Sequence, residues 1–282
     1  MEVFKTIFLL TALTLLFVFI GGYIGGQSGM LIAFGIAAAM NFFSYFYSDK
    51  LVLKHYKAVE VNRQNARGFY EIVESLAQKA NIPMPKVYII PEAVPNAFAT
   101  GRNPKNAAVA ATEGLLNLLS KEEIEGVMAH ELSHVRHYDI LVGSIAATIA
   151  GAIAVIANIM QYGAMFSAGR NRQNPFIMIV IAIILPIAAM IIQMAISRER
   201  EYKADEGAAK ITKHPEWLQS ALSKLDTYAK GGVMRQASQE SAHMFIVNPF
   251  SGKNISFANL FSTHPSTADR IARLEMLKGK VQ

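Results

Sequence analysis

Four long apolar runs alternate with polar blocks along the chain. They lie at approximately Ile7–Ile24, Gly29–Tyr47, Ile140–Met160 and Pro175–Ile196, and each is close to the roughly 20 residues that a helix needs to cross the hydrocarbon core of a bilayer. The alternative for the last two is a pair of buried helices, but residues 173–197 carry no charged side chain, which is too long a run for that interpretation. The pattern predicts four transmembrane helices arranged as two hairpins.

The polar blocks predict a small α+β domain that the second hairpin divides. Helical spacing marks "GFYEIVESLAQKANI", whereas "KVYII" and "AAVAAT" (107–112) are typical of strands, and the residues between them predict a turn-rich connection. Ser120 and Glu123 form a capping box that begins a further helix. In order, the predicted units are a transmembrane hairpin (1–47), the first part of the polar domain (48–139), a second transmembrane hairpin (140–196) and the second part of the polar domain (197–282).

Composition supports a membrane protein that carries a polar domain. Of the 282 residues, 52% are hydrophobic and only 17% are charged, and the mean hydropathy is +0.27, which is high for a soluble globule. The net charge of +6 makes nucleic-acid binding an alternative, but the basic residues cluster beside apolar runs, as at Lys50, Lys54 and Lys57. We therefore expect a lipid bilayer, and no nucleic acid, as a partner. The absence of cysteine excludes disulfides and thiolate metal sites.

The basic residues also predict the orientation of the spans. Lys5 precedes the first span, the turn at 21–29 is uncharged, and the basic cluster after Tyr47 returns to the side of Lys5. By the positive-inside rule, both termini and the polar domain then lie in the cytoplasm. Arg170 and Arg172, in the outer turn of the second hairpin, weaken this prediction without reversing it.

The stretch "VMAHELSHVRHYDI" (127–140) carries the clearest chemistry in the chain. On a helix His130 and His134 lie one turn apart on the same face, so both imidazoles can reach one ion at about 2.0–2.1 Å. Glu131 lies about 100° further round the axis, where its carboxylate can take a proton from a metal-bound water. The pattern is His-Glu-x-x-His, which is typical of zinc peptidases. The alternative is an accidental match on a polar helix.

A third ligand must come from elsewhere in the chain. His137 lies seven residues from His130, a rise of about 10.5 Å, which is too far for the same tetrahedral ion. Two membrane crossings bring "SREREYKAD" (197–205) back to the side of the motif, and on a helix Glu201 and Asp205 would stack at i and i+4. One carboxylate can ligate the metal while the other orients a ligand histidine. The alternative is a solvated, charge-balanced helix end.

Together these motifs resemble the HtpX family of bacterial heat-shock membrane zinc metalloproteases, which is related to the CAAX prenyl proteases. The resemblance covers nearly the whole chain and includes "PNAFATG" and "LFSTHPSTADRIARL". It implies an α+β, mainly helical membrane protein in which a zincin-like (gluzincin) cytoplasmic metalloprotease domain with a small sheet joins the four transmembrane helices. It further implies one Zn²⁺ per chain, held by His130, His134 and Glu201, with Glu131 as general base and Asp205 beside the ligands.

The resemblance also indicates a donor for the oxyanion that forms during peptide hydrolysis, which needs stabilisation besides that of the metal. His264 in "STHPS" is the candidate, with Arg270 as its partner or as a substrate clamp. The alternatives are a capping or buried histidine at 264 and a surface arginine on an amphipathic last helix at 270.

The substrate is less closely specified. The "AAVAAT" strand could pair with an extended peptide by strand addition, with Asn96 bonding to the peptide backbone, although an ordinary internal strand is the alternative. Residues 231–262 form either a flap over the cleft or an ordered loop. Charges on both sides of the motif would be costly at mid-bilayer, so we expect the cleft at the cytoplasmic membrane surface. The resemblance implies peptide and membrane-protein substrates, protein quality control under stress, and a place in the cell inner membrane.

Two other functions remain as alternatives. One is a four-span transporter or channel subunit with a regulatory zinc site, but the predicted spans contain no acid or base that could line an ion path. The other is a catalytically inactive scaffold, against which the intact Glu131 argues. The sequence does not predict an oligomeric state.

Overall fold

The N-terminal region is a long helix, α1 (Glu2–His55), that reverses direction at two glycines. The computed structural model describes residues 2–145, 198–231 and 265–281. The backbone of α1 leaves the helical conformation at Gly25 and Gly26, where φ is −131° and 57°. Asn41 in the second half donates hydrogen bonds to the Thr14 hydroxyl at 2.8 Å and to the Leu10 carbonyl at 3.3 Å in the first half. The two halves therefore lie side by side.

Small residues allow the halves of α1 to approach near this turn. A Cβ added at Gly29 would lie 2.1 Å from the carbonyl oxygen of Gly21, and one added at Gly21 would lie 2.4 Å from the Cβ of Ala33. Both distances are far below van der Waals contact, so the two halves approach closely where the side chains are absent or small, as is common between membrane helices.

Within the described residues, one helical stretch is long and apolar enough to cross a membrane, namely Gly25–His55. Large apolar side chains are exposed along it, among them Phe34, Phe42 and Phe43, as expected for a surface that faces lipid. Residues 139–145 continue as helix into the predicted third span. The rest of that span and the whole fourth span lie outside the described residues, as do positions 232–262 of the predicted flap.

The sheet has four strands, β1 (Val59–Val61), β2 (Lys86–Ile90), β3 (Ala97–Asn103) and β4 (Asn106–Thr112). Their order is β1-β2-β4-β3, with β2 and β4 parallel and the other pairs antiparallel. The strands predicted at "KVYII" and "AAVAAT" are confirmed. The predicted turn-rich connection is wrong for residues 97–103, which form β3.

This topology also corrects the expected edge strand. The "AAVAAT" segment forms β4, which pairs with β2 on one side and β3 on the other, so it has no free edge for a peptide. Among the described strands, β3 is the edge strand on that side of the sheet.

Helices pack against one face of this sheet around a central helix, α4 (Lys121–Arg136). The others that follow α1 are α2 (Arg67–Lys79), α3 (Glu113–Leu118), α5 (Arg198–Thr212), α6 (Pro215–Lys230) and α7 (Thr267–Glu275). The predicted capping box is present: Ser120 N–H donates to the Glu123 carboxylate at 2.7 Å, and Glu123 N–H donates to the Ser120 hydroxyl at 3.3 Å. Val127, Met128 and Leu132 of α4 are fully buried. The helix that carries the histidine motif thus lies in the core.

Candidate metal centre

Three side chains converge where α4 crosses α5. His130 and His134 of α4 and Glu201 of α5 each offer a ligand atom, and these atoms lie within 4.8 Å of one another. The two Nε2 atoms are 3.2 Å apart, and the Glu201 oxygens lie 3.6 Å from His130 Nε2 and 3.5 Å from His134 Nε2. Ligands bonded at about 2.0 Å to a tetrahedral ion are about 3.3 Å apart. The three groups therefore fit one tetrahedral cation, with a position left for a further ligand.

A glycine brings the two helices close enough for this convergence. A Cβ on Gly207 of α5 would lie 2.0 Å from the Ser133 hydroxyl oxygen and 2.8 Å from the Ser133 Cβ. Ser133 is fully buried and lies between the two histidines in sequence. Only glycine lets α5 approach α4 at this crossing without displacing one of the backbones.

His130 is oriented by a carboxylate from α5. Its Nδ1 lies 2.9 Å from Asp205 Oδ1, an arrangement that keeps the proton on Nδ1 and turns Nε2 toward the metal position. Asp205 also accepts two hydrogen bonds from Arg270 of α7, from Nη2 to Oδ1 at 2.6 Å and from Nε to Oδ2 at 2.9 Å.

His134 is oriented by the carboxylate of Asp139, a role that the histidine motif alone does not reveal. Its Nδ1 lies 3.0 Å from Asp139 Oδ2. Helix α4 ends at Arg136, and Tyr138 adopts a left-handed φ of 65°. That residue turns the chain so that Asp139 faces back to His134, although it is a tyrosine and not a glycine. An aspartate shortly after a metal-binding helix is the sequence signal that could have indicated this role.

Glu131 lies beside the cluster rather than among its ligands. Its side chain is buried and accepts a hydrogen bond from the backbone N–H of Ala99 in β3. Burial raises the pKa of Glu131 above its usual value, and electrostatic interaction with the neighbouring His130 and His134 opposes this shift only in part. A carboxylate with a raised pKa is well suited to accept and return a proton near neutral pH.

The buried charges around His130 shift its pKa and that of Asp205 in opposite directions. Burial lowers the pKa of His130, but hydrogen bonds to Asp205 and Glu201 outweigh that effect and raise it to about 9. Burial raises the pKa of Asp205, but the charge of Arg270 and the hydrogen bonds from His130 and Arg270 outweigh it, so the pKa falls below its usual value. Asp205 is therefore held as a carboxylate.

The remaining predicted site residues differ in their relation to the cluster. Asn96 immediately precedes β3 and is 4% exposed, and among the described residues its buried Oδ1 has no hydrogen-bond partner. Arg270 is 1% exposed and lies behind the ligands. His137 is outside the cluster, with its Nδ1 3.4 Å from the Ser133 hydroxyl. His264 lies outside the described residues.

Comparison with known proteins agrees with this geometry. Residues 63–278 match the model of Peptidase family M48. The protease HtpX homolog of Campylobacter hominis is 67% identical over 279 residues, which cover 99% of each chain. The protease HtpX homolog of Sulfurovum sp. is 60% identical and covers 99% of this chain and 100% of its own.

A solved structure shares the fold at low sequence identity. The crystal structure of S. mikatae Ste24p superposes with a TM-score of 0.51 at 16% identity, covering 94% of this chain. The chain spans 62% of the length of that structure.

Proposed function

The chain belongs to peptidase family M48, and from this membership and the His130–His134–Glu201 cluster we propose that it is a membrane-bound zinc endopeptidase. It cleaves misfolded or damaged membrane proteins at the cytoplasmic face of the cell inner membrane, as part of protein quality control under stress. The convergence of these three ligand atoms within 4.8 Å is the observation that carries the proposal.

Zinc is the metal that this donor set fits best. Two imidazole nitrogens and one carboxylate, with a further position open, are typical of catalytic zinc sites, whereas Mg²⁺ and Ca²⁺ prefer oxygen ligands. The ion would act as a Lewis acid toward the scissile carbonyl and would lower the pKa of a bound water to about 7. Both histidines are already oriented by aspartates, so little reorganisation of the protein accompanies binding.

Glu131 accepts the proton from the attacking water and passes it to the leaving amine. Its burial excludes bulk water, and its hydrogen bond from Ala99 N–H fixes the carboxylate next to β3. His264 is proposed to donate to the oxyanion.

The edge of β3 binds the substrate backbone. The Asn96 carbonyl accepts a hydrogen bond from Thr112 N–H at 2.9 Å, and pairing directions alternate along an antiparallel ladder. The N–H and C=O groups of Ala97 and Ala99 therefore face away from β4. The Ala99 N–H is bonded to the Glu131 carboxylate and would have to be released before a peptide could pair with it. An extended peptide added along this edge would bring its scissile bond beside the general base. The buried Oδ1 of Asn96 has no hydrogen-bond partner among the described residues, and it is proposed to accept from a peptide N–H.

Helix α1 supports the proposed membrane location and orientation. Its second half is apolar with large exposed side chains, and it ends in Lys50, Lys54 and His55 shortly before the sheet begins. Basic residues at the end of a span favour the cytoplasmic side. The catalytic domain would thus lie at the cytoplasmic surface, within reach of loops and unfolded segments of membrane proteins.

Cleavage of casein and of a model membrane protein by the purified full-length chain tests the proposal. Zinc-dependent cleavage should fall by at least 100-fold in Glu131→Gln, in line with the about 10²–10⁴-fold contribution of general acid–base catalysis. Glu201→Ala should lose its bound metal. Equal cleavage by wild type and Glu131→Gln would reject the peptidase mechanism. Metal binding without any cleavage would instead favour a regulatory zinc site or an inactive scaffold.

A further inference from the structure

The Nδ1 atom of each histidine in the cluster contacts an aspartate carboxylate, and each of these aspartates lies next to an arginine. The two chains of contacts are His130–Asp205–Arg270 and His134–Asp139–Arg200. They differ in closeness. Arg270 is within 2.6 Å of its aspartate, whereas the Arg200 Nη1 to Asp139 Oδ1 distance is 3.8 Å.

The Arg270 guanidinium binds Asp205, which orients His130, and also lies close to Glu201, which is itself one of the three candidate ligands. Asp205 Oδ1 accepts from both Arg270 Nη2 at 2.6 Å and His130 Nδ1 at 2.9 Å, while Asp205 Oδ2 accepts from Arg270 Nε at 2.9 Å. Arg270 Nη1 also lies 3.9 Å from Glu201 Oε2. The planar fork of arginine thus fixes the rotation of the Asp205 carboxylate, which a lysine ammonium could not do.

Other contacts hold α7 against its neighbours. The Arg273 guanidinium stacks over the Tyr202 ring at 3.6 Å, and the Gln219 side-chain amide donates to the Ile271 carbonyl at 2.9 Å. Leu274 is fully buried in the core. The docking of the helix can therefore be separated from the polar contact that Arg270 makes beneath the metal position.

We propose that Arg270 is a positioning residue, which acts through Asp205 and Glu201 to set the orientation of the metal ligands. This inference rests on the proposed metal site and assigns Arg270 a role different from that of a substrate clamp. Its side chain is 1% exposed, and its Nε and Nη2 are both bonded to Asp205. Without Arg270, Asp205 would remain as a buried carboxylate for which His130 is the only partner among the described residues, so both the carboxylate and the imidazole could turn.

The zinc affinity of the full-length protein in detergent, measured by competition with a chromophoric chelator, tests the inference. We expect Arg270→Met to weaken zinc binding by about 10- to 100-fold, the usual effect of losing a group that orients a metal ligand. Arg270→Lys keeps the charge without the fork and should recover only part of this loss. The matched control is Arg273→Met, which changes an arginine of the same helix. Its zinc affinity should stay within about twofold of wild type, the usual scatter for independent sites.

A double substitution shows whether the effect passes through Asp205. If it does, Arg270→Met combined with Asp205→Ala should bind zinc no more than about twofold more weakly than the weaker single variant. The d–d absorption bands of bound Co²⁺ should shift in Arg270→Met and Arg270→Lys but not in Arg273→Met. These bands report ligand geometry, which loss of general stability alone would not change.

The outcomes separate this inference from the proposed function. Wild-type affinity in Arg270→Met, or an equal loss in Arg273→Met, would overturn the positioning role while leaving the zinc site intact. A wild-type protein that binds zinc independently of His134 and Glu201 would overturn the proposed function itself. Should Arg270→Met fail to fold, Arg270→Lys decides the question, because wild-type affinity and Co²⁺ bands in that variant would rule out a need for the fork.

Discussion

Glu131 illustrates a conflict between stability and catalysis within one side chain. Burial raises its pKa, so between the usual value of 4.5 and the folded-state value the folded protein binds more protons than the unfolded chain. The free energy of unfolding therefore falls as the pH rises through this window. At pH 7.5 in chelator, Glu131→Gln should melt higher than wild type by on the order of a few degrees, since 1 kcal/mol shifts Tm by about 2–4 °C in a domain of this size.

The matched control for this prediction is Glu125→Gln, the same substitution on the same helix at a half-buried position outside the cluster. We expect little change in its Tm. A lower Tm for Glu131→Gln than for wild type would contradict the argument, because it would mean that the ionised carboxylate stabilises the fold.

Asp139 should contribute to metal affinity through His134. Its carboxylate 3.0 Å from His134 Nδ1 keeps Nε2 directed at the cation, and loss of such a partner commonly costs about 10- to 100-fold in metal affinity. We expect Asp139→Ala to weaken zinc binding by that amount. Arg136→Ala, which removes an exposed side chain at the end of α4, serves as control. Unchanged affinity in Asp139→Ala would show that His134 is oriented by other contacts.

The sequence predicts the local part of this site better than the distant part. The spacing of His130 and His134 fixes their common face, because a helix has a constant number of residues per turn. The place of Asp139 depends on the left-handed Tyr138, a conformation that sequence rarely signals outside Gly, Asn and Asp. The bond from Arg270 to Asp205 joins residues 65 positions apart, so only the tertiary fold reveals it.

At the scale of elements, the distance between α4 and α5 decides whether Glu201 reaches the histidines. Gly207→Ala would place a methyl group 2.0 Å from the Ser133 hydroxyl, and such overpacking typically costs about 1–3 kcal/mol. We expect a lower Tm and weaker zinc binding, because α5 must move away and take Glu201 with it.

A rescue and a control define the cause of that loss. Ser133→Gly removes the opposing atoms, so the Gly207→Ala/Ser133→Gly double variant should regain zinc affinity relative to Gly207→Ala. Gly68→Ala on α2 has no described atom within 4 Å of the new Cβ and should leave zinc binding unchanged. If the double variant binds zinc no better than Gly207→Ala, the clash with Ser133 is not what displaces Glu201.

The sheet shows where element prediction from sequence ends. The apolar runs of β2 and β4 identify strands because β4 is buried at every position but its first, and β2 is buried or half-buried at every position but its first. β3 contains Gly101 with a φ of 132° and a bulge at Gly101/Asn103, and it lies between segments rich in Pro and Asn, so local composition favours a loop. Its pairing with β4 overrides that preference. The edge assignment depends on strand order, which alternation along a single strand does not encode.

Across the whole molecule, the buried charges of the cluster favour a divalent cation. The carboxylates are those of Glu131, Asp139, Glu201 and Asp205, and the guanidinium groups are those of Arg200 and Arg270. When all are ionised, this set carries two more negative than positive charges. Unbalanced charge is costly away from water, and one divalent cation would neutralise the excess. Such a cation would therefore link the two predicted polar segments, 48–139 and 197–282, that the second predicted hairpin separates in the chain.

Zinc and protons should compete at His130, which gives the protein opposite pH trends with and without metal. The pKa of His130 is raised from 6.5 to about 9 by Asp205 and Glu201. In chelator, the stability that this histidine contributes is complete below pH 6.5 and is lost as the pH rises to about 9. Zinc binds the neutral imidazole, so its affinity should increase over the same range, and saturating zinc adds stability according to that affinity. We expect the increase in Tm on adding zinc to be larger at pH 8.5 than at pH 6.5. His130→Gln should abolish this difference between the two pH values. The control His214→Gln, which changes an exposed histidine, should preserve it. A zinc-induced increase in Tm that is independent of pH would contradict the competition.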